Sequence, residues 1–149
     1  MALLNAAADE TAIRALTAHF SDAVNRRAPV ELAGLFTEDG VWVVPGVGRT
    51  TGRRAITTLL AELLQRFGFL VQTLHSGVVS IEGDTASARW YLSEFAKSAH
   101  DGGWHFVGVY QDRHVRVDGA WLFARRKFDF LYRGPADVSG KHYPFPELD

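Results

Sequence analysis

The spacing of apolar residues changes once along this chain, near Gly68, and that change restricts the fold more than any motif does. Before it, apolar side chains recur at helical intervals: Ile13, Leu16, Phe20 and Val24 within residues 9–27, then Ile56, Leu59, Leu60, Leu63, Leu64 and Phe67 in GRRAITTLLAELLQRF. After it, residues 70–81, 85–96, 104–117 and 121–131 read as four strands joined by EGD, SAHDGG and VDGA. Connections this short and glycine-containing suit antiparallel neighbours, so the strands form a meander. Helices followed by a run of strands predict an α+β fold, cone-shaped, with about three N-terminal helices on the concave face of a curved antiparallel sheet. Such a sheet can close over a cavity.

Local signals fill in the order of elements. Asp9 is placed to cap the first helix and Pro29 to stop it. PVELAGLF predicts a short second helix with Pro29 in its first turn, and TEDG (37–40) supplies turn chemistry. VWVVPGVG predicts a strand over 41–44 broken by Pro45, and Gly68 is the expected C-cap of the third helix. Residues 132–149 carry three prolines and little periodicity, which predicts an irregular tail packed over the body of one domain spanning 1–149.

Composition narrows the function. With 16 Lys+Arg against 17 Asp+Glu, the net charge of -1 gives no whole-chain attraction to nucleic acid or an anionic membrane. The absence of cysteine removes thiolate chemistry, disulfides and Cys-based metal sites. No apolar run approaches the roughly 20 residues of a membrane span, and the N-terminus lacks the pattern of a secretion signal, so a cytoplasmic location is expected. Six scattered histidines show no metal-ligand spacing, and no nucleotide-binding glycine motif is present; neither metal nor organic cofactor is expected.

The residue that stands out is His75, in the middle of FLVQTLHSGVVSI. Strand alternation puts it in phase with Val79 and Ile81. It reads either as a hydrogen-bonded core histidine or as a general base in an enclosed pocket, because imidazole titrates near neutrality. His105 alternates with Val107 and Val109 and is a second candidate. On the first helix Asp22 falls opposite the core and is expected to be solvated, whereas Asn25 lies on the flank near the helix end. Alternation sends Arg126 to the face opposite Arg125 and Lys127. Glu94, Lys97, Asp112, Arg113 and His114 read most simply as solvent-facing or cross-strand pairs. Phe20, Trp42, Tyr110 and Phe128 are expected pocket walls, and Asp129 is a possible carboxylate partner of a basic neighbour.

The segments AIRALTAHFSDAVNRR, VWVVPGVGRTTGRRAI, LHSGVVSIEGDTASARWYL and FVGVYQDRHVRVDGAWLFARRKF together resemble the SnoaL-like branch of the nuclear-transport-factor-like superfamily. Within it the chain looks most similar to the scytalone dehydratase, bile-acid dehydratase and hexachlorocyclohexane dehydrochlorinase group, which eliminates without a cofactor by a His/Asp dyad. The resemblance matches the histidine to His75 and the last-strand arginine to Arg126. The dyad aspartate falls on Asn25 and the dehydrochlorinase lysine on Phe20. An asparagine can orient a histidine but cannot stabilise its cation with a full charge.

The expectation is a cofactor-independent acid/base enzyme of the dehydratase, lyase or isomerase type, acting on a small hydrophobic or polyketide-like molecule. His75 would move the proton, Asn25 would orient it, and Arg126 would stabilise developing negative charge. The tail would close the pocket, and the family's use of the open sheet face implies a homodimer or higher homo-oligomer. Two alternatives stand: a non-catalytic ligand-binding or assembly module, and an epoxide hydrolase with Asp129 or another carboxylate facing inward beside Arg126.

Overall fold

The computed structural model describes residues 2–147. Helix α1 runs Ala2–Asn25 and buries Ile13, Leu16, Thr17, Phe20 and Val24 as one stripe. It begins upstream of Asp9 because the alanine-rich segment before that residue is itself a good helix former. Asp9 therefore sits inside the helix rather than at its cap. Its carboxylate accepts hydrogen bonds from Arg116 Nη1 and Nη2 at 2.7 and 2.8 Å and from Trp121 Nε1 at 3.0 Å. Those bonds hold Asp9 below the usual carboxylate range.

Helix α2 (Pro29–Gly34) starts on its proline, as expected. Strand β1 (Phe36–Val44) begins earlier than the sequence suggests: TEDG is strand, with an irregularity between Phe36 and Val41 that absorbs Gly40. A turn leads to β2 (Gly48–Thr51) and then α3 (Arg53–Arg66), which buries Ile56, Leu59, Leu60 and Leu64. Phe67 ends α3 in an extended conformation, so the chain passes directly into β3 (Phe67–Glu82) and Gly68 is a strand residue, not a cap. The remaining strands are β4 (Thr85–Ser98), β5 (Gly102–Val117) and β6 (Ala120–Pro135).

The six strands form one open sheet in the order β2-β1-β6-β5-β4-β3. The predicted meander β3 to β6 is present and antiparallel throughout. One pair departs from that pattern: β1 lies parallel to β6, with Trp42 opposite Arg126, because the chain crosses over through β2 and α3 before building the meander. Helix α1 packs on the inner face against β3 and β6, and α3 packs on α2 and β1. Between helices and sheet lies an aromatic centre in which Phe20 meets Trp42, Tyr110 and Phe123 edge-on at 5.5–5.8 Å. Burying a side chain of this size contributes about 1.5–3 kcal/mol.

Strand β6 takes in residues 132–135 of the segment expected to be irregular, and beyond Pro135 the described residues form no regular element. Ala136 N–H bonds the Gly103 carbonyl at 3.0 Å, and His142 stacks on Phe69 at 4.1 Å. The segment beyond Pro135 crosses the end of the sheet, and none of its described residues lines the cavity between α3, β1 and the inner face of β3 to β6. Among the described residues no helix is long and apolar enough to cross a membrane.

Candidate active site

Bulges decide which side chains the sheet turns inward. On β3, Leu74 pairs with Leu92 and Gly77 with Trp90, so His75 and Ser76 together face the single residue Tyr91. Two residues against one is a β-bulge, and it shifts the phase of the strand. Leu70, Gln72 and Leu74 point inward before the bulge, and Gly77, Val79 and Ile81 after it. Gly77 accepts no side chain, since a Cβ there would sit 2.1 Å from the Trp90 ring. On β6 a second bulge, with Arg113 opposite Arg125 and His114 opposite Phe123, lets Phe123 and Arg126 both face inward although three residues apart.

The inward residues of β3 to β6, with α3, β1 and the turn after it, enclose a cavity of about 290 Å³. Trp42, Leu60, Leu63, Leu70, Phe106 and Phe128 form its apolar walls, and the exposed residues Arg66 and Arg133 also border it. Three polar side chains enter together from adjacent strands: Gln72, Glu94 and Tyr110. Ser21 Oγ donates to Gln72 Oε1 at 2.6 Å, which orients the amide. Gln72 Nε2 then donates to Glu94 Oε1 at 2.6 Å and to Tyr110 Oη at 3.0 Å. The Tyr110 hydroxyl accepts that bond, and its own proton is free to point into the cavity.

Electrostatics follow from this setting. Burial raises the Glu94 carboxyl above its ordinary value, and the Gln72 hydrogen bond opposes the shift. Burial also raises the Tyr110 phenol, with the Glu94 charge acting in the same direction, so Tyr110 stays protonated. A carboxyl with raised basicity beside a protonated phenol is equipped to accept one proton and donate one hydrogen bond.

The residues expected from sequence separate into three groups. Trp42, Tyr110 and Phe128 line the cavity. Phe20 is fully buried behind that wall, packed edge-on against Trp42 and Tyr110. His75 is exposed on the outer face, where its Nε2 meets Ser93 Oγ at 2.8 Å; the bulge is the reason. His105 also faces outward, stacked on Phe95 at 4.5 Å and 3°. Asp129 lies on that face too, 2.9 Å from Lys127 Nζ and bonded by Gln111 Nε2 at 3.0 Å.

Asn25 reaches β3 but not a histidine. Its Nδ2 donates to the Gln72 carbonyl at 2.9 Å and its Oδ1 accepts from the Gln72 N–H at 2.8 Å. Asp22 is exposed, as predicted, and the structure pairs it with Arg26. Gln72 is the functional candidate that sequence reasoning passed over, and Glu94, expected to face solvent or to pair across strands, stands opposite Gln72 and enters the cavity. Their signal was phase: Gln72 alternates with Leu70 and Leu74, and Glu94 with Leu92 and Ala96.

Arg126 faces inward but is sealed from the cavity, with no solvent exposure. Its Nε and Nη2 donate to Asp112 Oδ1 and Oδ2 at 2.9 and 2.6 Å, and the guanidinium lies over the rings of Tyr110, Phe123 and Phe20 at 4.0, 4.1 and 4.3 Å. His114 completes the cluster, 3.7 Å from Asp112. Asp112 pairs across strands with Arg126, one of the two expected arrangements, while both Asp112 and His114 are buried rather than solvent-facing, and burial pushes His114 down to about 4. The inward carboxylate beside Arg126 is Asp112, in a closed pair rather than an open site.

Solved structures share this fold. A hexachlorocyclohexane dehydrochlorinase (LinA) Type2 superposes with a TM-score of 0.85 at 20% identity, over 97% of this chain and 99% of that one. A putative scytalone dehydratase from Novosphingobium aromaticivorans DSM 12444 gives 0.81 at 22%, over 100% of both. An ntf2-like protein with a cystatin-like fold from Novosphingobium aromaticivorans gives 0.76 at 27%, over 87% of this chain and 86% of that one. No curated protein matches the chain. Residues 5–127 match the family described as the SnoaL-like domain, the larger part of the sequence. The chain belongs to the SnoaL-like domain family.

Proposed function

We propose that the protein is a cofactor-independent acid/base enzyme, a lyase or isomerase by reaction type, acting on a small, mostly apolar carbonyl compound. The observation that carries this reading is the bifurcated donation of Gln72 Nε2 to Glu94 and Tyr110 inside an apolar cavity. The dehydrochlorinase and scytalone dehydratase folds support the same class. Glu94 takes the role first expected of His75.

The ionised Glu94 carboxylate removes a proton from the carbon next to the substrate carbonyl. Tyr110 donates its hydroxyl proton in a hydrogen bond to the carbonyl oxygen, where negative charge develops as the enolate forms. The electron pair then either takes the proton back at another carbon, which isomerises, or expels a leaving group from the β carbon, which eliminates. Gln72 holds base and donor at fixed separation, and the walls of Trp42, Phe106 and Phe128 exclude water that would stabilise the carboxylate.

The test is solvent-deuterium incorporation into a small apolar ketone with acidic α protons, such as 2-tetralone, followed by NMR. Exchange faster than in buffer, lost in Glu94→Gln and reduced in Tyr110→Phe, is the expected result. Saturable binding of the ketone with exchange no faster than in Glu94→Gln would instead favour the non-catalytic binding module.

A further inference from the structure

The outer face of the sheet holds a second concavity, on the opposite side from the cavity. In register across four strands stand Ser80, Ser87, Arg113 and Arg125, with Ser80 opposite Ser87, Ser87 opposite Arg113 and Arg113 opposite Arg125. Arg89 lies two residues along β4 from Ser87, diagonal to Arg113. These side chains border a groove of about 360 Å³.

Among the described residues, the three guanidinium groups have no hydrogen-bond or ion-pair partner, and neither do the Ser80 and Ser87 hydroxyls. Arg14, Arg26, Arg53 and Arg116 pair with Glu10, Glu31, Glu38 and Asp9; Arg49, Arg54 and Arg66 are also without a carboxylate partner among the described residues, but no two of them stand opposite each other on neighbouring strands. Two nearby carboxylates are already used, and Glu82, two residues along β3 from Ser80, does not border the groove. Asp129 is held by Lys127 and Gln111, and Asp112, whose residue borders the groove, turns both oxygens inward to Arg126. Like charges directly opposite each other on neighbouring strands destabilise a sheet, so Arg113 facing Arg125 carries a cost that the fold itself does not offset. An anion in the groove would offset it.

We propose that this groove binds a phosphoryl group, as inorganic phosphate or pyrophosphate or as the phosphate of an ester. Guanidinium forks match the oxygens of phosphate in pairs, and two serine hydroxyls across the row supply further donors. The groove is open on the solvent side, which admits a group carried on a larger molecule. Its occupancy is independent of the chemistry proposed for Glu94, because the two sites lie on opposite faces of the sheet.

Calorimetric titration at low ionic strength tests this with two probes, inorganic pyrophosphate and phenyl phosphate. One saturable site per chain is expected, at least tenfold weaker in the Arg113→Gln/Arg125→Gln double variant and unchanged in Arg49→Gln, an exposed arginine on β2 outside the groove. Tighter binding of pyrophosphate assigns the free anion, and tighter binding of phenyl phosphate the ester. Thermal unfolding of the double variant, expected at or above the wild-type midpoint, separates loss of the site from loss of the fold. Absence of saturable binding, equal affinity for citrate, or an equal loss in Arg49→Gln overturns the assignment. So does a double variant whose sedimenting mass changes while the wild type binds neither probe, since the groove would then be an interface between copies.

Discussion

Asn25 and Gln72 exchange two hydrogen bonds, the side-chain amide of one matching the peptide group of the other at 2.8 and 2.9 Å. A side-chain amide is the one functional group that can treat a strand as a neighbouring strand would, giving an N–H and taking an N–H. Helix α1 thereby fixes the stretch of β3 from which Gln72 reaches Glu94 and Tyr110. Asn25→Asp keeps the acceptor and loses the donor, leaving a carboxylate against the Gln72 carbonyl. The expected cost is about 1–3 kcal/mol in urea unfolding. Because the Gln72 side chain shifts with its backbone, deuterium exchange should fall as well; unchanged stability would remove Asn25 from this role.

Glu94 sits in the cavity at a cost to the fold. Its folded-state carboxyl is raised above the ordinary 4.5, so on raising the pH the unfolded chain gives up this proton first. Stability contributed by the neutral form therefore falls as pH rises from the ordinary carboxylate range through the folded value. Glu94→Gln retains an oxygen to accept from Gln72 Nε2 and removes the charge. The variant should be at least as stable as the wild type at pH 7, lose the alkaline-side decline, and lose proton exchange. A site residue whose removal stabilises the protein fits a catalytic rather than a structural carboxylate.

His75→Ala should change unfolding free energy by no more than about 0.5 kcal/mol and leave proton exchange intact, since the ring is exposed and bonded only to Ser93. Loss of exchange in this variant would return the proton-transfer role to the histidine.

The contrast between His75 and Gln72 shows where the sequence is readable. Helical and strand periods and the turns joining β3 to β6 follow from patterning, because burial imposes the pattern, whereas the expected turn TEDG is strand. The register of β3 does not. Period-two counting carried across Leu74 to Gly77 puts His75 inside, while one extra residue in the bulge turns it out. The glycine beside the bulge answers to a non-local contact: the Trp90 ring of β4 occupies the space over Gly77. The parallel docking of β1 on β6 is equally invisible to local patterning, since it depends on a crossover through α3. Gln72 and Glu94 were legible in phase, but polar residues on an apolar phase read as surface until the cavity is known to be there.

Arg126 and Asp112 form a buried pair whose two members need each other. Arg126→Met leaves the Asp112 carboxylate without its partner and should cost about 3–5 kcal/mol, whereas the Arg126→Met/Asp112→Leu double variant should recover most of that loss. Urea unfolding of the two single variants and the double gives the coupling directly. Additive losses would show that the pair is not coupled.

His114 should make the fold sensitive to mild acid. Buried beside Asp112, whose charge favours its protonation, and Arg126, whose charge opposes it, the ring is held down to about 4 against an ordinary 6.5. Between those values the unfolded chain binds a proton that the folded chain refuses, so stability is complete above about 6.5 and is lost as pH falls towards 4. At about 1.4 kcal/mol per unit of displacement, the loss reaches about 3 kcal/mol at the lower limit. Glu94 contributes a slope of opposite sign over part of the same window, so the informative quantity is the difference between wild type and His114→Leu. That difference should shift by about 3 kcal/mol in favour of the variant from pH 7 to pH 4, measured by urea unfolding at each pH. A pH-independent difference would mean that the imidazole takes up its proton equally in the folded and unfolded chains, and a shift of opposite sign that it is held as a cation beside Asp112.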